Sequence, residues 1–329
     1  MAQDKKKKRV AIFCHRGLGD GVVSLVLPNN FHQNGWDTAL YHDTMVNLQL
    51  WAPHLPILAY PEDRKIPSII EENDLILAFH NDTCPFLHQL IRLGKAKKPG
   101  DIRVFYPYPT KRIFTQPYYE DTFLQPDLSI VENFYRFCRD VMGLEKTTRA
   151  NGMSGLDGLV WKKYPKRVVM HVASSRASKN WPIKKFASLG KKLQKEGYEV
   201  AIISGTAEKQ EPYLPLRKEG FSVPVTDTLS GLMAYLYESS YFIGNDSGLG
   251  HAASSFGHDT VTIARRQTVG NFWRPGWANN RYVTPSPYIP NISGFRFRDL
   301  YWQSLVSVRK VAKAFSSLAS ASAERRKWL

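Results

Sequence analysis

Three short stretches carry residue types suited to chemistry on an anionic substrate. The first, Gly17-Leu18-Gly19-Asp20-Gly21, follows an apolar run and precedes an apolar-periodic one. Its glycines let the backbone turn sharply and let a ligand approach closely, and Asp20 falls near the positive end of the helix that follows. A carboxylate kept ionised there suits a general base, and it also suits a plain N-cap. The spacing is not GxGxxG, so a dinucleotide fingerprint is not supported. The second stretch, His171 to Pro182, sets Ser174, Ser175, Arg176 and Lys179 ahead of a proline fit to start a helix. Two hydroxyls, a guanidinium and an ammonium in one turn make a phosphate cradle, and a mere cap does not need both Arg176 and Lys179. The third, Gly244 to Ala253, places Asp246, Ser247 and Gly248 where small residues open a helix. Amides at such an N-terminus are a ready anion site. His251, one turn in, reads as a phosphate partner or, more simply, as a core histidine.

All three stretches lie where a strand gives way to a helix, so the elements around them must build sheet edges that present loops. Arg9 to Cys14 is a short apolar strand, and VVSLVLPNNFHQNG after Gly21 has helical periodicity. Thr38 to Tyr41 and Asp74 to Phe79 read as further strands, Val104 to Phe123 as an irregular segment rich in Pro and Tyr, and Leu128 to Met142 as a helix. A polar, glycine-rich linker puts the domain boundary near residues 146–164. Beyond it the rhythm is regular: strand Arg167 to Val172, helix Ile183 to Glu196 stopped by Gly197, and strand Glu199 to Ser204. A helical stretch Ala207 to Glu219, a strand at Val223 to Val225, helix Ser230 to Glu238, strand YFIGN, helix Gly248 to Phe256 and strand TVTIA follow. Alternating strands and helices predict a parallel, doubly wound sheet, whose ligands sit beyond the carboxyl ends of the strands. Leu300 to Ala321 reads as one closing helix, with core packing the simpler explanation of its apolar stripe and a membrane surface the other.

Length and charge narrow the classes further. A chain of 329 residues exceeds what one core usually serves, and 43% hydrophobic with 22% charged residues is an ordinary globular composition. No apolar run is long enough to span a bilayer, and the start lacks a signal peptide, which points to a cytoplasmic protein. Cys14, Cys84 and Cys138 form no metal spacing, and no metal is expected. The net charge of +16 favours polyanions. No nucleic-acid reading motif is present and no nucleic acid is expected; an anionic lipid headgroup or an acidic glycolipid at the inner leaflet fits the charge equally well, and solvated Lys and Arg faces are the plain alternative.

Taken together, GLGDGVVSLVLP, HVASSRASKNWPIKKFASL and FIGNDSGLGHAASSFG resemble stretches of the family-9 glycosyltransferases, the bacterial lipopolysaccharide heptosyltransferases, in that family's order and spacing. The resemblance implies an α/β chain of the GT-B fold, two Rossmann-like domains facing a central cleft. These would be an acceptor-binding domain over 1–155, a nucleotide-sugar domain over 156–299, and a C-terminal helix and basic tail over 300–329 packing back on the first. It implies inverting, metal-independent transfer of heptose from ADP-heptose to Kdo or heptose of the lipopolysaccharide inner core. No cofactor beyond the sugar nucleotide is implied, the acceptor is an anionic glycolipid of Kdo-lipid A type, and contact with the inner membrane would be peripheral. Carried onto this chain, Asp20 resembles the general base, with Lys179 beside it in catalysis. Ser174, Ser175, Arg176, Asp246, Ser247, Gly248 and His251 resemble donor ligands, and Glu208 a ribose-binding carboxylate. Gly19, Lys111 and Arg112 fall to the acceptor side.

One departure stands out. Where the family has a short Phe-Gly turn, this chain reads RRQTVGNFWRPGW, arginines and tryptophans that recast a sugar or base pocket. Two other readings therefore stay open: a GT-B transferase for another nucleotide sugar, and a non-catalytic nucleotide or polyanion binder suggested by the charge.

Overall fold

The computed structural model describes residues 7–80, 83–106, 122, 124–174, 177–205, 211–266, 271–291 and 295–326. The chain divides into two compact units, Met1–Ser154 and Gly155–Leu329. Each is built on a five-stranded, wholly parallel sheet.

In the first unit the strands are β1 (Arg9–Phe13), β2 (Asp37–Tyr41), β3 (Ile57–Leu58), β4 (Leu75–Phe79) and β5 (Ile102–Phe105), in the order β3-β2-β1-β4-β5. Ile12 is in register with Leu40 on one side and Leu77 on the other. The order reverses between β1 and β4, so the loop after β1, which leads into the helix whose first turn holds Asp20, opens at the point where such sheets bind ligands. Two helices follow β1, α1 (Leu18–Ser24) and α2 (Val26–Gln33), where the sequence predicts one. Pro28 supplies no N–H to the Ser24 carbonyl one turn back, and the ladder breaks at Leu25. Helices α3 (Ile66–Glu72) and α4 (Pro85–Lys97) were not legible in the sequence; they bury Ile66, Ile69, Ile70, Phe86, Leu87 and Leu90 against Phe13, Ile76 and Val104. Helix α5 (Ile130–Arg136) is capped by Ser129 and runs into a wider turn, Phe137–Val141.

The expected linker is not loose at its start. Asn30 and Asn34 exchange side-chain hydrogen bonds of 2.6–3.1 Å with the backbone of Thr148 and Lys146, and Asn29 donates to the Ala150 carbonyl at 2.9 Å. The stretch is strapped to α2 up to the end of the unit.

The second sheet holds β6 (Arg167–His171), β7 (Glu199–Ile203), β8 (Tyr241–Asn245), β9 (Asp259–Ile263) and β10 (Asn280–Val283), ordered β10-β9-β8-β6-β7. Its reversal falls between β6 and β8. Helix α6 (Ile183–Lys195) buries Phe186, Leu189, Gly190 and Leu193 at helical spacing and stops at Gly197, whose φ of 84° a residue with a side chain rarely adopts. Helices α7 (Leu229–Glu238) and α8 (Gly248–Ser255) follow the expected pattern. Val223–Val225 does not form a strand: Ser222 makes a single bridge to Ala201, and Pro224 has no N–H to extend it. Glu211–Glu219 is 3-10 turn rather than helix, with Pro215 inside it.

The C-terminal stretch is three helices, α9 (Phe297–Leu300), α10 (Trp302–Leu305) and α11 (Val308–Arg326). Val311, Phe315 and Leu318 lie on one helical face and join the core made by Phe186, Leu189, Leu193 and Tyr241, and α11 packs on α6, β9 and β10. Burial of that stripe within its own unit stabilises it by about 25 cal/mol per Å² of apolar surface covered. Among the described residues no helix is long and apolar enough to cross a membrane.

Candidate active site

The turn after β1 is held by residues distant in sequence. Gly17 is the N-cap of α1, and Asp20 sits in the first turn rather than at the cap. Buried His42 fixes this turn from behind. Its Nδ1 accepts from the amides of Thr44 and Met45 at 3.1 and 3.2 Å, which leaves the proton on Nε2 to donate to the Gly17 carbonyl at 3.0 Å. Burial lowers its pKa, so the ring stays neutral. Gly21 lies so close to His42 and Met45 that a Cβ would overlap both, and a Cβ on Gly17 would run into the Asp20 carboxylate. These two glycines are needed for room, not for unusual backbone angles. Tyr60 donates to the Cys14 carbonyl at 2.5 Å, and Arg16 lies over the Tyr60 ring while reaching Asp43 at 3.5 Å. The Cys14 thiol is pushed well up by burial, and further by the charge of Asp20, so it is no nucleophile.

The second cluster sits at the reversal between β6 and β8. Asn245, the last residue of β8, is buried and bridges two loops: its Oδ1 accepts from the Trp181 amide at 2.8 Å and its Nδ2 donates to the Val172 carbonyl at 2.9 Å. Trp181 in turn is fully buried and donates from Nε1 to Val306 at 3.0 Å. Gln303 and Trp302 hold the carbonyls of Asn180 and Ser178. The stretch from Ser178 to Trp181 is therefore clamped by β8 on one side and α10 on the other. Lys185 closes the arrangement by donating to the carbonyls of Gln303, Ser304 and Val306, the open end of α10.

On that frame Lys179 Nζ lies 4.0 Å from Asp246 Oδ2. Burial raises the Asp246 pKa, opposed by Lys179 and Tyr282. Both line a cavity of about 240 Å³ with Ser178, Ala264, Arg265, Arg266 and Tyr282. Ser174 donates from Oγ to Asn180 Oδ1 at 2.6 Å. Ser247, the N-cap of α8, does not cap with its side chain; its Oγ pairs with His171 Nδ1 at 2.9 Å, and the first amides of α8 at Gly248 are left to other acceptors. His251 is buried, its pKa is lowered to about 4 by burial, and its Nδ1 has no hydrogen-bond partner among the described residues. That agrees with a neutral core ring and leaves one nitrogen for a ligand.

Of the sequence-predicted residues, Lys179 and Asp246 come together, with Ser174, Ser247, Gly248 and His251 on the same two loops. Gly19 and Asp20 belong to the first unit. Ser175, Arg176, Glu208, Lys111 and Arg112 lie outside the described residues. Sequence reading did not find His42 or Tyr282, and it gave His171 and Asn245, inside the stretches it marked, no role of their own. Arg265 and Arg266 were visible only as a departure from the family pattern.

The sequence profile of glycosyltransferase family 9 (heptosyltransferase) matches residues 117–288, more than half of the chain. The chain belongs to glycosyltransferase family 9. No curated protein sequence matches this transferase. Among solved structures, the family-9 glycosyl transferase of Veillonella parvula is similar at TM-score 0.64 and 14% identity, over 94% of this chain and 97% of that one. The ADP-heptose lps heptosyltransferase II of E. coli is similar at TM-score 0.63 and 16% identity, over 94% and 98%. E. coli heptosyltransferase WaaC, solved with ADP, is similar at TM-score 0.64 and 14% identity, over 94% and 99%. The two Rossmann-like units thus have the GT-B fold. Membership in a family of enzymes leaves the non-catalytic reading of the charge without support.

Proposed function

We propose that this family-9 transferase moves a heptose from ADP-heptose to Kdo or heptose of the lipopolysaccharide inner core, with inversion at the anomeric carbon. The observation that carries the reading is the pairing of Lys179 with Asp246 at the reversal of the second sheet, beside the uncapped amides of α8. A diphosphate held there would meet the Lys179 ammonium, the Ser174 hydroxyl and the amides near Gly248, with Ser175 and Arg176 added from the same loop and Glu208 reaching the ribose. Lys179, Ser174 and the amides near Gly248 flank the Asn245 and Trp181 clamp, which is in place before substrate arrives. They can therefore stabilise the charge that grows on the leaving ADP without rearranging. His251 and Ser247 complete the donor side.

On the acceptor side Asp20 is the base. As the acceptor hydroxyl oxygen bonds to the anomeric carbon from the face opposite ADP, the bond from that carbon to the phosphate oxygen breaks, ADP leaves with the electron pair, and the hydroxyl proton passes to Asp20. Gly19 leaves room for the acceptor, and Lys111 and Arg112 meet its acidic groups. The net charge of +16 suits a cytoplasmic enzyme working at an anionic inner leaflet.

Arg265 and Arg266, in the same cavity as Lys179 and Asp246, favour a second reading in which the donor is another sugar nucleotide. Calorimetric titration with ADP-heptose, UDP-sugars and GDP-sugars separates the two. ADP-heptose is expected to bind most tightly, and Lys179→Gln to weaken it by about tenfold or more, as loss of a charge-assisted contact does. Preference for a UDP- or GDP-sugar, or no effect of Lys179→Gln, contradicts the donor assignment.

A further inference from the structure

Beyond the cavity shared by Lys179 and Asp246 lies a larger one of about 510 Å³, bounded by Arg265, Arg266, Arg296, Arg298, Thr284 and Asn291 among others. Three of these guanidiniums converge on one carboxylate. Asp299, whose side chain is only 2% exposed, accepts from Arg265 at 3.0 Å, from Arg296 at 2.8 Å and from Arg266 through Nε at 3.0 Å and also through Nη2. Its backbone amide is held by Asn291 Oδ1 at 3.1 Å. The arginines hold the Asp299 carboxyl far below the usual carboxylate range. Arg298 stands apart from this carboxylate and donates to the Pro287 carbonyl at 2.8 Å.

The charges do not balance. Four guanidiniums line the cavity and three of them share one carboxylate, and between Gly257 and Val306 the sequence has no acidic residue besides Asp259 and Asp299, against six arginines. Asp259 is engaged elsewhere, accepting from Asn279 at 2.9 Å. Each guanidinium has five N–H donors in a rigid fork, and Asp299 uses only one or two from each. The side chains of Arg265, Arg266 and Arg296 remain 42%, 41% and 57% exposed, so their other donors are turned outward. Anchoring flexible side chains on a buried carboxylate fixes them in advance, which lowers the entropy lost when an anion binds. Three arginines on one carboxylate leave an excess of positive charge that a further anion would offset.

We propose that this arginine-lined cavity is a second anion subsite, distinct from the diphosphate site, which binds a phosphate ester or carboxylate carried on a sugar of one of the substrates. The volume suits a substituted sugar better than a bare ion. The subsite rests on the donor reading above only for its position: Arg265 and Arg266 border both cavities, so a sugar held beside the diphosphate would reach it.

The test uses the full chain and glucose 6-phosphate as probe, titrated calorimetrically with and without saturating ADP. The expected result is binding in both conditions, weakened about tenfold or more by Arg298→Gln, partly restored in Arg298→Lys, and unchanged in Lys192→Gln as a control for net charge. Arg298 is not bound to Asp299, so Arg298→Gln leaves the buried cluster intact, and an unaltered melting temperature verifies that. Absence of probe binding, or equal binding by Arg298→Gln, overturns the subsite. If ADP itself fails to bind, the donor reading falls while the probe titration without ADP still decides the subsite. Turnover then identifies the source. A raised KM for the nucleotide sugar in Arg298→Gln assigns the anion to the donor, a raised KM for the acceptor assigns it to the acceptor, and unchanged values for both overturn the proposal.

Discussion

At the scale of single residues, the site depends on carboxylates kept in unlike surroundings. Asp299 is surrounded by guanidiniums and strongly favoured as an anion, whereas Asp246 is half-buried beside one lysine and partial burial raises its pKa above the ordinary 3.8. A carboxylate raised in the folded state is favoured by its proton. It lends stability at pH below the unfolded value and takes stability away as pH climbs through the folded one. Asp246→Asn is therefore expected to melt at higher temperature than the parent chain near neutral pH, the gap closing as pH falls to the ordinary carboxylate range. Thermal melts of both proteins across pH check this. A lower melting temperature for Asp246→Asn at neutral pH would mean that the Lys179 pairing outweighs burial.

Among elements, the glycines of the β1–α1 turn act through the space they leave. At Gly21 a methyl group would overlap His42 and Met45, and the His42 ring cannot yield without releasing the Gly17 carbonyl and two backbone amides. Gly21→Ala is expected to cost about 1–3 kcal/mol, the range for overpacking a filled interior, as measured by urea denaturation. A change within experimental scatter would show that α1 can shift. This element also shows what sequence could reveal. The run of glycines with Asp20 marked the turn because small residues and a following apolar period are local signals. His42 gave none, since it is 25 residues from Gly17 and its role exists only once β2 pairs with β1. In the second unit, β6, α6, β8 and α8 were legible from their periodicity. The convergence of Arg265 and Arg266 on Asp299 was not, because a contact between the loop after β9 and α9, 33 residues away, leaves no local pattern. Strand β10 was obscured by its mixed polarity: Asn280 spends its side chain on Thr260 and Thr262 rather than on a core.

For the whole molecule, two buried neutral histidines make stability depend on acid. Burial lowers His251 to about 4 and His258 to about 3, against an ordinary value of 6.5. Both are held below their unfolded values, so the stability they allow is complete above pH 6.5 and is lost as pH falls from there toward the folded values. Each contributes a slope of about 1.4 kcal/mol per pH unit within that window. Urea denaturation at successive pH values is expected to show this decline, reduced in His258→Gln relative to the parent chain. A flat profile between neutral and mildly acid pH contradicts the burial of both rings. The central claim is that Asp20 takes the acceptor proton in a transfer from ADP-heptose, and acceptor-dependent release of ADP tests it most directly. Asp20→Asn is expected to lower kcat by roughly a hundred- to ten-thousand-fold while the Kd for ADP stays within about twofold of the parent value. Undiminished ADP release by Asp20→Asn would contradict the account.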